Sequence, residues 1–404
     1  MYFKRILIAC TVVLALACAP RTGIRRCSPQ KAGMDPSRLA LIDSAVNASI
    51  GHGDAPGAVV GIVHNGVLVY EKAFGNKSLV PSVEPMTVEN MFDLASLSKC
   101  VGTTISIMQL VESGKVRLVD PVSRYIPGFK PWRSDEGETV EITVQHLLTH
   151  SSGLDAYIDV SAYVATYGPG TSNELVDYIA TCLGRNTRPG TKMVYSCLNF
   201  VTLQAIIERV TGERLCDYAQ REIFDALGLK HTCYFPLDRE LSALVQLCAP
   251  TEVQEDGLPL QGVVHDPIAR IINRGNSGNA GVFSNVEDLA VISAALLNGG
   301  SWNGRRILSP QTVRKMFEVP VVNDPSVARA LGWDTLYLSP YTSGDIFELE
   351  HLRGHTGYTG TSIILDPDTS TAVIILTNRV HPVDTGSVAR LRSTVASIAA
   401  SAIR

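Results

Sequence analysis

Charge is thinly spread along this chain: Asp, Glu, Lys and Arg make up 18% of its 404 residues, the formal net charge is −4, and no basic run with interleaved aromatics occurs. A nucleic-acid partner needs a positive stripe to neutralise phosphates, so that class of partner is not expected. No C-x-x-C pair occurs either. Beyond Cys10 and Cys18 there are seven cysteines, Cys27, Cys100, Cys182, Cys197, Cys216, Cys233 and Cys248, an odd number that points to small buried hydrophobes rather than a disulfide framework. His146, His265 and Asp266 lack the spacing of metal ligands. Gly275, Gly278 and Gly281 lack the lysine and the strand–turn–helix setting of a phosphate loop. Neither a metal nor a cofactor is therefore expected. The G-x-S-x-G elbow is missing as well, which removes the ordinary α/β-hydrolase fold. After about residue 35 no Pro/Ser-rich linker, charge block or repeat breaks the pattern, and 45% of the residues are hydrophobic. That is enough for one large core, read as a single unit with two lobes.

No apolar run reaches the roughly 20 residues that span a bilayer. Ile6–Ala17, preceded by Lys4 and Arg5, has instead the length of a secretory signal core. Leu14-Ala15-Leu16-Ala17-Cys18 is similar to a lipoprotein processing site, with Cys18 as the lipidated residue and Ala15 standing where a larger aliphatic is usual. The chain is accordingly divided into a signal peptide at 1–17, a linker at 18–34 and one folded domain at 35–404. Export to the bacterial envelope follows, with membrane attachment only through lipid.

Alternation and turn signals place strands at both ends of that domain. Ala58–His64 and Val67–Tyr70 flank Asn65-Gly66, a pair that tolerates the positive φ of a tight hairpin. Gly360–Leu365 and Thr371–Thr377 flank a turn at Asp366-Pro367-Asp368. Helical periodicity fills the middle: 99–113, 144–149, 173–183, 200–211, 216–227 and 286–297, the last bounded by Ser284-Asn285 and Gly299-Gly300. A final helix is expected over 386–403. The fold class is α+β, an antiparallel sheet from both chain ends flanked by helices, with an inserted mainly helical lobe and a cleft between the two.

Ser96 and Lys99 stand three apart at the start of a helix, so their side chains share a face and can meet. A serine hydroxyl becomes a nucleophile when a neighbour takes its proton, and a desolvated lysine can have a pKa low enough for that. Ser-x-x-Lys alone is common on solvated helices. Here Val194-Tyr195-Ser196-Cys197 follows at a turn-to-helix junction, and Gly354-His355-Thr356-Gly357-Tyr358-Thr359-Gly360 opens a strand far downstream.

In that order the three elements resemble the serine β-lactamases and DD-peptidases, in particular the class C β-lactamases and their esterase, amidase and penicillin-binding relatives. Further likeness lies in Ala55-Pro56-Gly57-Ala58, Leu147–Leu154, Val264-His265-Asp266, Ala280–Ser284 and Leu376–Arg379, and it spans roughly residues 35 to 400. The resemblance implies Ser96 as the acylated nucleophile, Lys99 as its proton acceptor and Tyr195 as the partner base. It also implies an oxyanion hole from the backbone N–H groups of Ser96 and Tyr358, and substrate contacts from Cys197, His355, Thr356 and Gly357. Two departures stand out. His355 replaces the motif's lysine, so a positive charge there depends on pH. Cys197 replaces an asparagine, and Asn199 is expected to face elsewhere. His150 is read as a loop histidine that orders backbone. The expected activity is hydrolysis, through an acyl-enzyme, of a peptidoglycan-derived peptide or muropeptide amide. A carboxylesterase, a weak β-lactamase and an inactive wall-binding protein are the alternatives, and the oligomeric state is left open.

Overall fold

The computed structural model describes residues 23–235, 237–320, 328–335 and 340–404. The expected signal segment and Cys18 lie outside the described residues. Strand β1 (Gly57–His64) turns through Asn65 and Gly66, both at positive φ, into β2 (Val67–Ser78), and β3 is the short Glu84–Pro85. The far end of the chain supplies β4 (Arg353–Thr356), β5 (Ser362–Asp366) and β6 (Thr371–Thr377). They join as one antiparallel sheet in the order β4-β5-β6-β1-β2-β3. The two chain ends meet at its centre, where Val60 opposes Ile375 on one side and Lys72 on the other.

Alternation along β1 sends its residues into two cores. Ala58, Val60 and Ile62 pack with residues of the terminal helices Leu41–His52 and Ala389–Ser401, while Val59 and Val63 join the larger core of the helical lobe. Helix Val286–Leu297 is capped by the Asn285 side chain, which accepts the Asp288 N–H at 2.9 Å, and it lies so close to β1 that a Cβ on Gly61 would stand 2.3 Å from Val286 Cγ1. The α+β architecture is thus the observed one. Among the described residues no helix is long and apolar enough to cross a membrane.

Several boundaries differ from the expected ones. Helices Leu41–His52, Val160–Tyr167 and Pro310–Phe317 were not anticipated. The expected linker is part of the fold from Ile24 onward: Ile24 is buried, Pro29–Ala32 forms a 3-10 turn, and fully buried Met34 bridges to Ile403. The His355–Gly357 segment does not open the strand after it. It ends β4, and Tyr358 sits in the turn between β4 and β5 rather than on a strand.

Candidate active site

Phe92–Asp93 pairs with Val282–Ser284 in a small second sheet, and the chain then turns sharply into a helix. Ala95 adopts φ +46° in that turn, a left-handed conformation costing a residue with a Cβ about 1–2 kcal/mol. Asp93 holds it there: one carboxylate oxygen accepts the Ala95 N–H at 2.8 Å and the other the His265 N–H at 2.7 Å. Burial pushes the Asp93 carboxyl up against those two donors. The turn leaves Ser96 at the helix entrance, with Lys99 in the first of the π-type turns Lys99–Thr104.

Lys99 is fully buried, and its Nζ donates to Ser96 Oγ at 3.0 Å and to the Asn279 carbonyl at 2.9 Å, with Cys197 Sγ at 3.5 Å. Nζ also lies 5.0 Å from the centroid of the Tyr195 ring. Burial opposes its charge, yet Cys197, Tyr195 and Asp266 outweigh that and hold the amine above its ordinary pKa. The direction is thus upward, where the sequence reading expected an amine with a lowered pKa. Burial also pushes the Tyr195 phenol up, against the pull of Lys99. The Tyr195 hydroxyl is buried and faces the side chains of Ser96 and Lys99.

His150 fixes Tyr195 from below, as a backbone-ordering histidine should. Its Nδ1 accepts the Ser196 N–H at 2.9 Å, its carbonyl accepts the Val194 N–H at 2.9 Å, and its ring stacks on Tyr195 at 4.4 Å. Asn199 does face elsewhere, accepting from Ser152 Oγ at 2.6 Å. The contact to Lys99 that an asparagine would make is left to the Cys197 thiol.

The turn after β4 is bolted to the Ser96 turn. Thr359 Oγ1 donates to the Asp93 carbonyl at 2.7 Å and Thr361 Oγ1 to the Leu94 carbonyl at 3.0 Å. Gly357 serves this junction, since a Cβ there would meet the Leu94 carbonyl at 2.4 Å; its close approach is to the Ser96 turn, not only to substrate as expected. The backbone N–H groups of Ser96 and Tyr358 donate to no acceptor among the described residues. Ser96, Tyr195, Thr356, Gly357 and Tyr358 line one cleft of about 410 Å³ together with His355, Arg329, Asp334, Arg379 and Arg392. A larger cavity of about 720 Å³, bordered by Leu296, Pro310 and Arg353, lies apart from these groups and has no serine in its wall.

His355 requires a correction. Its Nδ1 lies 2.8 Å from the Thr356 carbonyl and so carries the proton. Burial, reinforced by Arg329 and Lys99, keeps the imidazole well below its ordinary pKa. It is neutral throughout the physiological range and supplies no cation to a substrate carboxylate. The cleft is lined instead by arginines that spacing did not single out: buried Arg329, 3.5 Å from Asp334 and with its guanidinium carbon 5.6 Å from the Tyr195 ring centroid, Arg379, paired with Asp384 at 2.6 Å, and Arg392. Asn279 was missed too, because a backbone carbonyl leaves no mark in the sequence. Among the described residues no cluster of His, Cys, Asp and Glu could hold a metal.

The β-lactamase family model matches residues 42–396. The chain belongs to the β-lactamase family. It is 32% identical over 373 residues to the N-acetylmuramyl-L-alanine amidase of Bacillus subtilis (strain 168), a match covering 85% of this chain and 81% of that protein. It is 30% identical over 407 residues to the putative D-alanyl-D-alanine carboxypeptidase of Escherichia coli (strain K12), covering 94% and 90%. Among solved structures, EstCE1, a hydrolase with promiscuous acyltransferase activity, superposes with a TM-score of 0.69 at 24% identity, over 90% of this chain and 99% of that one. That last likeness concerns the fold. As a β-lactamase-family protein with these relatives, the chain is a serine hydrolase of the β-lactamase and penicillin-binding-protein type.

Proposed function

We propose that this serine hydrolase cleaves an amide in peptidoglycan-derived peptides or muropeptides, through an acyl-enzyme on Ser96. The observation that carries the proposal is the 3.0 Å contact of Lys99 Nζ with Ser96 Oγ in a cleft shared with Tyr195 and the turn after β4. The names of the two relatives above supply the substrate class.

In this reading Ser96 Oγ attacks the amide carbonyl carbon and its proton passes to the Tyr195–Lys99 pair. At rest that pair carries a proton on each member. The pair becomes a base when one of those protons is released to bulk water before the attack, leaving a phenolate held by the Lys99 ammonium, so that Tyr195 is the acceptor and Lys99 the cation beside it. The oxyanion is received by the N–H groups of Ser96 and Tyr358, each typically contributing about 3 to 4 kcal/mol in the transition state. Collapse sends the proton to the leaving amine, and water then releases the acyl group by the same steps in reverse. Arg329, with Thr356, would take the free carboxylate of a stem peptide. Such a substrate lies outside the cytoplasm, so export, with Cys18 as a lipid anchor, belongs to the same proposal.

A carboxylesterase is the second reading. The observation favouring it is that a neutral His355 and a thiol at Cys197 stand where a β-lactamase motif has a cation and an amide. Intact-mass spectrometry after exposure to muropeptides, p-nitrophenyl esters and a fluorescent penicillin tests the assignment. The expected result is an adduct that vanishes in Ser96→Ala, with muropeptide trimmed faster than ester. Ester turnover alone would select the second reading, and no adduct with any probe would make the protein a wall-binding module.

A further inference from the structure

The peptide unit that presents the Tyr358 N–H has a second end, the Gly357 carbonyl, and that end is held by a cation. Arg392, on the C-terminal helix Ala389–Ser401, donates from Nη2 to the Gly357 carbonyl at 3.1 Å and to the Thr361 carbonyl at 2.9 Å. The Gly360 N–H reaches the same Gly357 oxygen at 3.1 Å, so two donors converge on it. Arg392 Nε is buried without a partner, and no carboxylate bonds the guanidinium among the described residues. Its charge is therefore spent on these two carbonyls. Burial and the neighbouring Arg379 lower its pKa to about 10, which leaves it cationic at neutral pH.

We infer that Arg392 is a positioning residue of the oxyanion hole, fixing the plane of the Gly357–Tyr358 peptide and polarising it so that the Tyr358 N–H becomes a stronger donor. A cation on the carbonyl oxygen draws electron density through the amide and leaves its N–H more positive, the cooperative strengthening seen in hydrogen-bond chains. Position and polarity are secured together. Thr359 and Thr361 tie the turn to the Ser96 segment on one side, Arg392 ties it to the C-terminal helix on the other, and Gly357 has no room for a Cβ between them. The inference rests on the assignment of the oxyanion hole made above.

The test uses the full-length enzyme with an activated ester and the matching thionoester, whose sulfur is a poorer acceptor for oxyanion-hole donors. Arg392→Gln is expected to lower kcat about 10- to 100-fold, less than the effect of deleting a donor outright, with KM moving under about threefold and the oxoester-over-thionoester preference shrinking. Arg392→Lys, which keeps the charge but not the fork, should recover part of both, and millimolar guanidinium should restore Arg392→Ala. Thermal unfolding of each variant accompanies the kinetics, and if the neutral variants do not fold the lysine variant carries the comparison. Lost activity with an unchanged oxo/thiono ratio and no guanidinium rescue would reduce Arg392 to a structural staple. A wild-type enzyme that does not distinguish the two esters would instead overturn the oxyanion-hole assignment itself.

Discussion

At the single-residue scale, the proposal leaves the place of the motif's lysine to the imidazole of His355 and gives its charge to the guanidinium of Arg329. His355 keeps the place on β4 and, being buried beside Arg329 and Lys99, stays neutral. The KM of a carboxylate-bearing peptide should therefore show no step near pH 6.5, and a step that disappears in His355→Asn would refute the neutral assignment. Arg329→Gln should raise that KM about 10- to 100-fold, the worth of a charged hydrogen bond, and should affect a neutral ester of the same acyl group much less. Equal losses on both substrates would mean that Arg329 acts on Tyr195, over whose ring it lies. The sequence could bring Ser96 and Lys99 onto one helical face by spacing alone, and it was the family resemblance that implied a role for Tyr195. Arg329 and Arg392 were not legible there, since each reaches the cleft through tertiary contacts at no fixed offset from any motif.

Among elements, β1 and the helix Val286–Leu297 show which part of the fold a pattern can announce. Both were readable, the strand from its Val/Ile run before Asn65-Gly66 and the helix from its Asn285 cap and the glycines that end it. Their mutual contact was not, because the reason for a glycine at 61 is a side chain more than two hundred residues away. Gly61→Ala, which sets a Cβ 2.3 Å from Val286 Cγ1, is expected to destabilise the protein by about 1–3 kcal/mol, the usual cost of overpacking. kcat of the folded enzyme should stay unchanged, since the contact lies on the sheet and not in the cleft. Urea unfolding beside ester turnover checks both halves, and a variant of wild-type stability would show that the helix can move away freely. The misplaced turn at Tyr358 has a related cause. Gly354–Gly360 carries strand-like residues up to Thr356, and only the fit of Gly357 against Leu94 and of Thr359 and Thr361 against the Ser96 turn ends β4 there.

For the molecule as a whole, closing one sheet from both chain ends buries polar groups that the unfolded chain would leave in water, and histidine makes this measurable. Five imidazoles, those of His64, His146, His150, His355 and His381, are held below their ordinary pKa chiefly by burial, His146 down to about 4. Below about pH 6.5 the unfolded chain takes up protons at these positions and the folded chain does not. Stability is therefore at its full value above that pH and falls as the pH drops toward each folded-state pKa, by up to about 1.4 kcal/mol per pH unit for a fully buried group. Exposed His351, raised by Asp368, and the buried carboxyls of Asp93 and Asp288, raised by burial, work in the opposite sense, but they are fewer. The urea midpoint should accordingly fall steadily from pH 7 to pH 4 with little change in the slope of the transition, and the fall should begin before any carboxylate with an ordinary pKa titrates. A midpoint that holds level between pH 7 and 5 would mean that the buried imidazoles accept protons inside the fold, and the neutral His150 that supports Tyr195 would have to be abandoned with them.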